Sequence, residues 1–541
     1  MTQPSEHEPH RRDGQAVHDN IEVLDADLIV AIGRYEEALM ANDAKRLSAM
    51  FADDPDGIPV VRSDAKGMIV GHTAIGAFRK ARKNAPTRRL ISRVARRLGD
   101  TAACVVSRFE KASGGIVVQT QVWQHCDDVW KIVAAHLTYP TPAIDSTIWR
   151  VAGTPLVEAT HPGPLSGMGV AVKDLYAVAG QRVGAGNPAY FAEAPVQEHS
   201  APAVRRLLDA GADIVGTART DEFAYSLAGV NAHYGTPPNS KAVGRVPGGS
   251  SSGPASAVAS GQAAIGLGTD TAGSIRIPSA YQGLWGLRTT HGRVSREGVH
   301  PLSESFDTVG WMTRDAQTMD FVTQAMLPDR DTATLSGEVA VCALPGQMVD
   351  ADVAQAFARS CDAMHDAALA GVRGQADPWG EITLDAGMFD GFLDVFSTVR
   401  GYEAWRANGG WVAGHMDALA PDIAERFRRD ALIGEAAYRR GLERLERSRA
   451  MIRSLVGGKV LLMPTAATVA PTLGEQDDAE TAARTRTRTM RLTSLAGVGG
   501  LPALTMPITT EQGLPCGVCL IGPAGSDKAL VTFAKELCRR L

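Results

Sequence analysis

Apolar residues between positions 21 and 52 recur at steps of three and four: Leu24, Leu28, Ile29, Ile32, Tyr35, Leu39 and Met40. That spacing lines one face of a helix and predicts helix over the segment. A Pro/Asp/Gly-rich break over 53–59 ends it, and Ile75, Phe78 and Ala81 predict another short helix. Three later runs, 102–110, 115–125 and 129–137, read as strands, with turn residues at 113–115 and 126–128 making hairpins of them. Helices followed by an antiparallel meander predict a compact α+β domain. The stretch 139–145 carries two prolines and reads as a linker. The organisation expected is a flexible tail over 1–18, a first domain over 19–139, a linker over 140–147 and a second domain over 148–541.

The pattern changes in the second domain. Apolar runs such as 169–172, 214–216 and 460–463 alternate with helical stretches such as 202–210. Alternation of that kind predicts an α/β layer structure, a β-sheet flanked by helices. Helical spacing also fills 353–369 and 422–455, the latter rich in Glu and Arg three and four positions apart. Residues 483–491 alternate Arg with Thr and read as an exposed loop or the start of a helix.

Composition narrows the class. The chain has 541 residues, 44% hydrophobic and 21% charged, which is globular rather than disordered. Lys plus Arg is 55 against 60 Asp plus Glu, a net charge of −5, so nucleic-acid binding driven by global positive charge is not expected. No apolar run is long enough for a membrane helix, and the polar first twenty residues lack a secretory core. Seven scattered cysteines make no disulfide framework. Cys516 and Cys519 form one C-x-x-C, but in a strand-like run where they face opposite sides, so they read as structural thiols. A cytoplasmic protein without metal or cofactor is the expectation.

Three segments carry the candidate chemistry. They are Gly169-Val-Ala-Val-Lys173, Pro247-Gly-Gly-Ser-Ser-Ser-Gly-Pro254, and Gly268-Thr-Asp-Thr-Ala-Gly-Ser-Ile-Arg-Ile-Pro278. Gly-rich loops before helices can cradle phosphates. Neither the P-loop pattern nor the dinucleotide fingerprint is present, however. His161, His233 and His291 invite a Ser-His-Asp triad, but no serine sits in a G-x-S-x-G elbow. In their order and content the three segments resemble the amidase signature family. Tyr281-Gln-Gly-Leu-Trp-Gly-Leu-Arg288, Ser305-Phe-Asp-Thr-Val-Gly310 and Gly513-Leu-Pro-Cys-Gly-Val-Cys519 extend the likeness collinearly.

That resemblance implies an α/β fold with a central mixed sheet and a Ser–cisSer–Lys catalytic set. Lys173 takes the lysine position, Ser250 the bridging serine within a cis peptide, and Ser274 the nucleophile. Thr271, Ala272, Gly273 and Ser274 match the backbone oxyanion donors. The chemistry is coherent, because a serine hydroxyl is a weak nucleophile that needs a base. Lysine serves only if neutral, so its pKa must fall from about 10.4 toward ~7–8, a bias of about 4 kcal/mol that burial can supply. Asp270 is expected to orient the glycine-rich loop by accepting N–H bonds, and Arg276 to pair internally. Ser251 and Ser252 read as hydrogen-bonding support, and Trp285 and Trp311 as core. Two departures from the family stand out: Ala272 replaces a usual glycine, and Thr289 a common proline. Neither removes a reacting group.

The function implied is hydrolysis of a small carboxamide or urea-like amide through an acyl-enzyme, with pocket residues drawn from about 386–419. The alternatives are a glutaminase subunit of a tRNA amidotransferase and a catalytically degenerate binding protein. Residues 20–139 resemble the AtzH-like branch of the NTF2/SnoaL-like fold, carried by Tyr35-Glu-Glu-Ala-Leu-Met-Ala-Asn-Asp43, 71–82 and Val129-Trp-Lys-Ile-Val-Ala-Ala-His136. That likeness makes Tyr35 and Arg62 candidate pocket residues, against the readings of core tyrosine and surface charge. It also admits a dimerisation or substrate-delivery role, with a homodimer as the expected assembly.

Overall fold

The computed structural model describes residues 18–19, 24–54, 57–64, 67–81, 88–111, 116–138, 144–327, 333–346, 348–369 and 377–540. Residues 1–17 of the expected tail 1–18, the turn at 113–115 and the first half of the linker (140–143) lie outside the described residues. Contacts divide the chain into two units that meet between Ala143 and Ile144.

In the first unit the chain order is β1 (His18–Asp19), α1 (Ala26–Met40), α2 (Ala44–Ala49), β2 (Val61–Asp64), β3 (Gly67–Val70), α3 (His72–Ala81), β4 (Arg88–Arg97), β5 (Ala102–Lys111), β6 (Ile116–Cys126) and β7 (Val129–Thr138). The seven strands form one sheet in the order β1-β4-β5-β6-β7-β2-β3. The helix predicted over 21–52 is two helices. Asn42, with φ of 52°, turns the chain between them, and Asp43 caps α2 by accepting from Arg46 N. The β6–β7 hairpin turns on Asp127 and Asp128, whose φ values of 47° and 60° are those a tight type I′ turn requires. His18, placed in the tail by the sequence pattern, pairs with Ser92. Leu28, Ile32, Tyr35 and Leu39 of α1 pack with Phe51, Ile75, Trp123 and Ile132 in the core of this unit.

The second unit runs β8 (Trp149–Val157), β9 (Gly169–Lys173), α4 (Pro188–Glu193), α5 (Pro202–Asp209), β10 (Asp213–Ala218), α6 (Ser252–Ala259), β11 (Ile265–Asp270), α7 (Arg276–Gln282), β12 (Trp285–Arg288), β13 (Thr308–Thr313), α8 (Ala316–Met326), β14 (Val339–Ala343), α9 (Ala351–Leu369), β15 (Trp379–Thr383), α10 (Ala386–Val412), α11 (Pro421–Asp430), α12 (Glu435–Val456), β16 (Val460–Pro464), α13 (Leu473–Asp477), α14 (Ala479–Gly499), β17 (Ala503–Thr509), β18 (Pro515–Ile521) and α15 (Asp527–Arg540). Its eleven-stranded mixed sheet has the order β15-β14-β16-β18-β17-β12-β13-β11-β9-β10-β8. Strand β9 is parallel to β10 and β11 on either side. Every residue of β11 is buried, as is expected of strands covered on both faces by helices. The packing is close: a Cβ on Gly266 would come 3.0 Å from Pro254 O, and one on Gly268 2.7 Å from Ser251 Oγ. The glycines of β11 are therefore what let α6 and the residue before it rest on that strand.

Two helical predictions change. The 422–455 pattern is broken by a turn at 431–434 into α11 and α12, and the Arg/Thr segment 483–491 lies inside α14. Cys516 and Cys519 are buried, free and in different clusters, and burial pushes their thiols up to about 12 and about 11. Trp285 and Trp311 are core residues. No described helix is long and apolar enough to cross a membrane.

Candidate active site

Strands β9 and β11 end side by side, and their last residues are Lys173 and Asp270. The C-terminal ends of parallel strands are where open α/β sheets place ligands. Lys173 is fully buried, and its Nζ donates to Ser250 Oγ and to Thr269 Oγ1, each at 2.8 Å. Burial drives the Lys173 amine down to about 7, against the opposing pull of Asp221, Asp270 and Asp307. Asp221 moves the other way: burial raises its carboxyl, while Gly229 N and then Lys173 act to lower it.

Ser250 follows Gly249 through a cis peptide bond. Its carbonyl accepts from Thr220 Oγ1 at 2.9 Å and Asp221 N at 3.2 Å. The two glycines before it are required by close contacts. Gly248 has φ of 76° and lies against Pro278, and a Cβ on Gly249 would stand 2.3 Å from Asp221 Oδ2. The supporting roles of the next serines agree with the sequence reading: Ser251 Oγ donates to Thr269 O at 3.2 Å, and Ser252 Oγ to Asp221 Oδ1 at 3.0 Å.

Ser274 is buried and adjoins this loop through its carbonyl, which accepts from Ser251 N at 3.3 Å. Its Oγ has no hydrogen bond to Ser250 among the described residues. Asp270 organises the turn that carries Ser274. It accepts from Gly273 N at 3.0 Å and Ile275 N at 3.2 Å, and pairs with Arg276 at 2.9 Å and Arg288 at 3.0 Å. Burial works to raise the Asp270 carboxyl, but Arg276 and Arg288 prevail and hold it well below the ordinary carboxylate range. Gly273 differs from expectation, since its N–H is engaged by Asp270 rather than free. The amides of Thr271, Ala272 and Ser274 have no acceptor among the described residues. Thr271 Oγ1 donates to Asp307 at 2.6 Å, and Ala272 O accepts from Thr493 Oγ1 of α14 at 2.6 Å. The methyl of Ala272 is accommodated against the neighbouring core. Thr289 is buried with its hydroxyl donated to Val309 O at 2.6 Å, so it serves where proline is common.

The histidines lie elsewhere. His233 contacts Glu222 at 2.8 Å, His291 contacts Glu304 O at 2.9 Å, and His161 contacts Pro162 O. Sequence reasoning gave no role to Asp221, Thr269, Asp307 and Arg288; the last three lie inside segments that carried the family likeness, whereas Asp221 lies in none of them. Three cavities lie near these residues. A cavity of about 550 Å³ is lined by Ser226, Leu227, Ile277 and Tyr281 together with α11 and α14, and from the stretch 386–419 Ser397, Thr398 and Arg400 line a separate cavity of about 300 Å³. A third cavity of about 260 Å³ borders Thr269, Thr271, His300 and Asp307.

In the first unit Tyr35 and Arg62 are both buried, so Arg62 is not a surface charge. Tyr35 Oη accepts from Arg79 Nη2 at 3.0 Å and Gln119 Nε2 at 3.1 Å. Arg62 pairs with Asp64 at 2.9 Å and lies 4.2 Å over the Phe78 ring. No hydrogen bond joins Tyr35 to Arg62 among the described residues. Arg79, Arg88, Arg93, Ser107, Gln119 and Gln121, all unmentioned by the sequence reading, form the rest of this polar interior.

Comparison with known proteins follows the same division. The Amidase family model matches residues 144–354 and 421–531, and the AtzH-like model matches 17–141. Amidase 1 of Oryza sativa subsp. japonica is 35% identical over 410 residues, covering 70% of this chain and 91% of that protein. The 2-amino-5-chloromuconic acid deaminase of Comamonas testosteroni is 34% identical over 388 residues, covering 69% of this chain and 81% of its own. The crystal structure of an amidase superposes with a TM-score of 0.60 at 30% identity, over 70% of this chain and 86% of that one. The fold and the matches define a hydrolase acting on amide bonds. The chain belongs to the amidase family and carries an AtzH-like domain at its N-terminal side.

The buried Asp270 cluster generates a stability prediction. Asp270→Asn leaves two buried guanidiniums short of their counter-charge, so unfolding free energy should fall by about 3–5 kcal/mol, read as a lower denaturant midpoint. An unchanged midpoint would remove Asp270 as the anchor of the loop.

Proposed function

We propose that the chain hydrolyses a small carboxamide or urea-like amide with Lys173, Ser250 and Ser274 as its catalytic set. The observation that carries this reading is the sealed contact of Lys173 Nζ with Ser250 Oγ at 2.8 Å, in a site where burial brings the amine to about 7. A lysine with that pKa is largely neutral at slightly alkaline pH and can act as a base. Ser250 passes its proton to Lys173 as it takes the proton of Ser274. Ser274 Oγ then bonds to the carbonyl carbon, and the carbonyl oxygen takes up the negative charge. The amides of Thr271, Ala272 and Ser274 are the donors for that oxyanion. The proton returns through Ser250 to the nitrogen as the C–N bond breaks, and ammonia or an amine departs. Water, deprotonated by the same chain, attacks the acyl-enzyme and frees Ser274.

For the first unit we propose that Tyr35 and Arg62 belong to a pocket for an anionic ligand. Arg79 donates to Tyr35 and Arg88 to Gln119, while Arg62 pairs with Asp64 and Arg88 and Arg93 face Glu36. Tyr35 Oη accepts two hydrogen bonds and keeps its own proton to donate.

Three outcomes follow. Ser274→Ala should bring ammonia release to background in an assay over arylacetamides, aliphatic amides and carboxylated ureas, and undiminished turnover would remove Ser274 as nucleophile. For the wild type, kcat/KM should rise about tenfold per pH unit below the Lys173 value and level off above it, because only the neutral amine accepts a proton. A limb that keeps rising into the ordinary lysine range, about 10.4, would contradict a depressed base. Tyr35→Phe should change kcat or KM toward carboxylated ureas, whereas identical constants would leave the first unit an architectural role.

A further inference from the structure

Outside the reacting groups, α10, α11 and α14 bring four arginines together. Arg400, Arg426, Arg429 and Arg486 line a cavity of about 300 Å³ beside Tyr225 and Asp430. Arg426, Arg429 and Arg486 also line the larger cavity that reaches Ile277, one turn along from Ser274. Arg400 is 8% exposed, with its guanidinium 4.7 Å from the Tyr225 ring and its Nε sealed from water without an acceptor. Arg486 Nε is likewise sealed and unmatched. Neither side chain has a hydrogen bond or ion pair among the described residues.

The carboxylates nearby are committed elsewhere. Asp430 accepts from Tyr225 Oη, and exposed Asp422 holds Arg426 at 2.9 Å. Glu425 lies 3.9 Å from Arg429 and is exposed, and buried Glu222 is engaged by Asn187, His233 and Ala420 N. Burial, then Arg426, Arg400 and Arg429, push the Arg486 guanidinium below its ordinary value. A guanidinium drawn out of water without a counter-ion is costly, and the buried Arg400 and half-buried Arg486 carry that cost where an anion would relieve it. The planar fork of arginine matches the two oxygens of a carboxylate.

The distance to the chemistry is fixed by α14. Arg486 stands two turns before Thr493, about 10 Å along the axis, and Thr493 bonds the Ala272 carbonyl in the nucleophile loop. Resting on the hydrolytic reading above, we propose that the preferred substrate is an anionic amide whose carboxylate, a short spacer from the scissile bond, is held by Arg400 and Arg486.

The test compares adipamate with hexanamide, which differ by a terminal carboxylate. The wild type should favour adipamate in kcat/KM, and Arg486→Gln and Arg400→Gln should each cut that preference by about 10- to 100-fold, the range for losing a hydrogen bond to a charged group. Arg486→Glu should turn the preference toward hexanamide. Equal wild-type rates on the two amides, or a preference untouched by all three substitutions, would overturn the proposal while leaving the hydrolase reading intact. If the wild type cleaves neither, the hydrolytic reading is what falls. Calorimetric binding of adipamate to the Ser274→Ala protein then decides the present proposal, with weaker binding in the added Arg486→Gln variant supporting it and equal or absent binding refuting it. Circular dichroism and melting of each variant separate a lost contact from a lost fold.

Discussion

The second unit depends on one buried electrostatic arrangement, the Asp270 carboxylate between Arg276 and Arg288. Three ionised groups taken out of water are tolerable only when their hydrogen bonds are satisfied. Here the carboxylate accepts from both guanidiniums and from the amides of Gly273 and Ile275, and Arg288 also donates to the carbonyls of Asp270 and Phe306. The same bonds that compensate the charges hold the turn carrying Ser274. Stability and alignment of the reacting groups are therefore one property of this site.

The Lys173 environment adds a second constraint. Desolvation favours the neutral amine, and three carboxylates oppose it. The outcome near neutrality is a balance of large opposing effects. A shift in any one of the carboxylates would move the amine away from the near-neutral value that its proposed role as base requires. Asp221 is the most exposed to such coupling, since it touches Ser252 and the Gly249 backbone as well as facing the lysine.

Much of this was legible in the sequence, for reasons that differ by element. Lys173, Ser250 and Ser274 stood out because the glycines and small residues around them tolerate little else, and the contacts of Gly248, Gly249 and Gly268 show why. The helix–turn pattern of the first unit was readable, but its interior was not. In β6 the buried face is Val117, Gln119, Gln121 and Trp123, while Val118, Thr120 and Val122 are only partly buried. Alternation alone points the more uniformly apolar face inward, so a polar interior cannot be foreseen. Asp221 was missed because a single carboxylate in a loop carries no pattern, and Asp307, although inside a quoted segment, drew no role because only the fold brings either carboxylate to the lysine. The Arg/Thr run was misplaced for a related reason. Its arginines suggested solvent, whereas packing of α14 turns Arg486 toward a cavity.

The packing of α6 on β11 has an evolutionary corollary. Gly253 of α6 and Gly266 of β11 would each bring a Cβ against neighbouring backbone, so this packing leaves no room for larger side chains. Diversification of what the enzyme accepts has more room among the long side chains of α11 and α14 that line the larger cavity, where volume and polarity can drift without disturbing that packing. Change in diet and constancy of chemistry are thereby assigned to different parts of one fold.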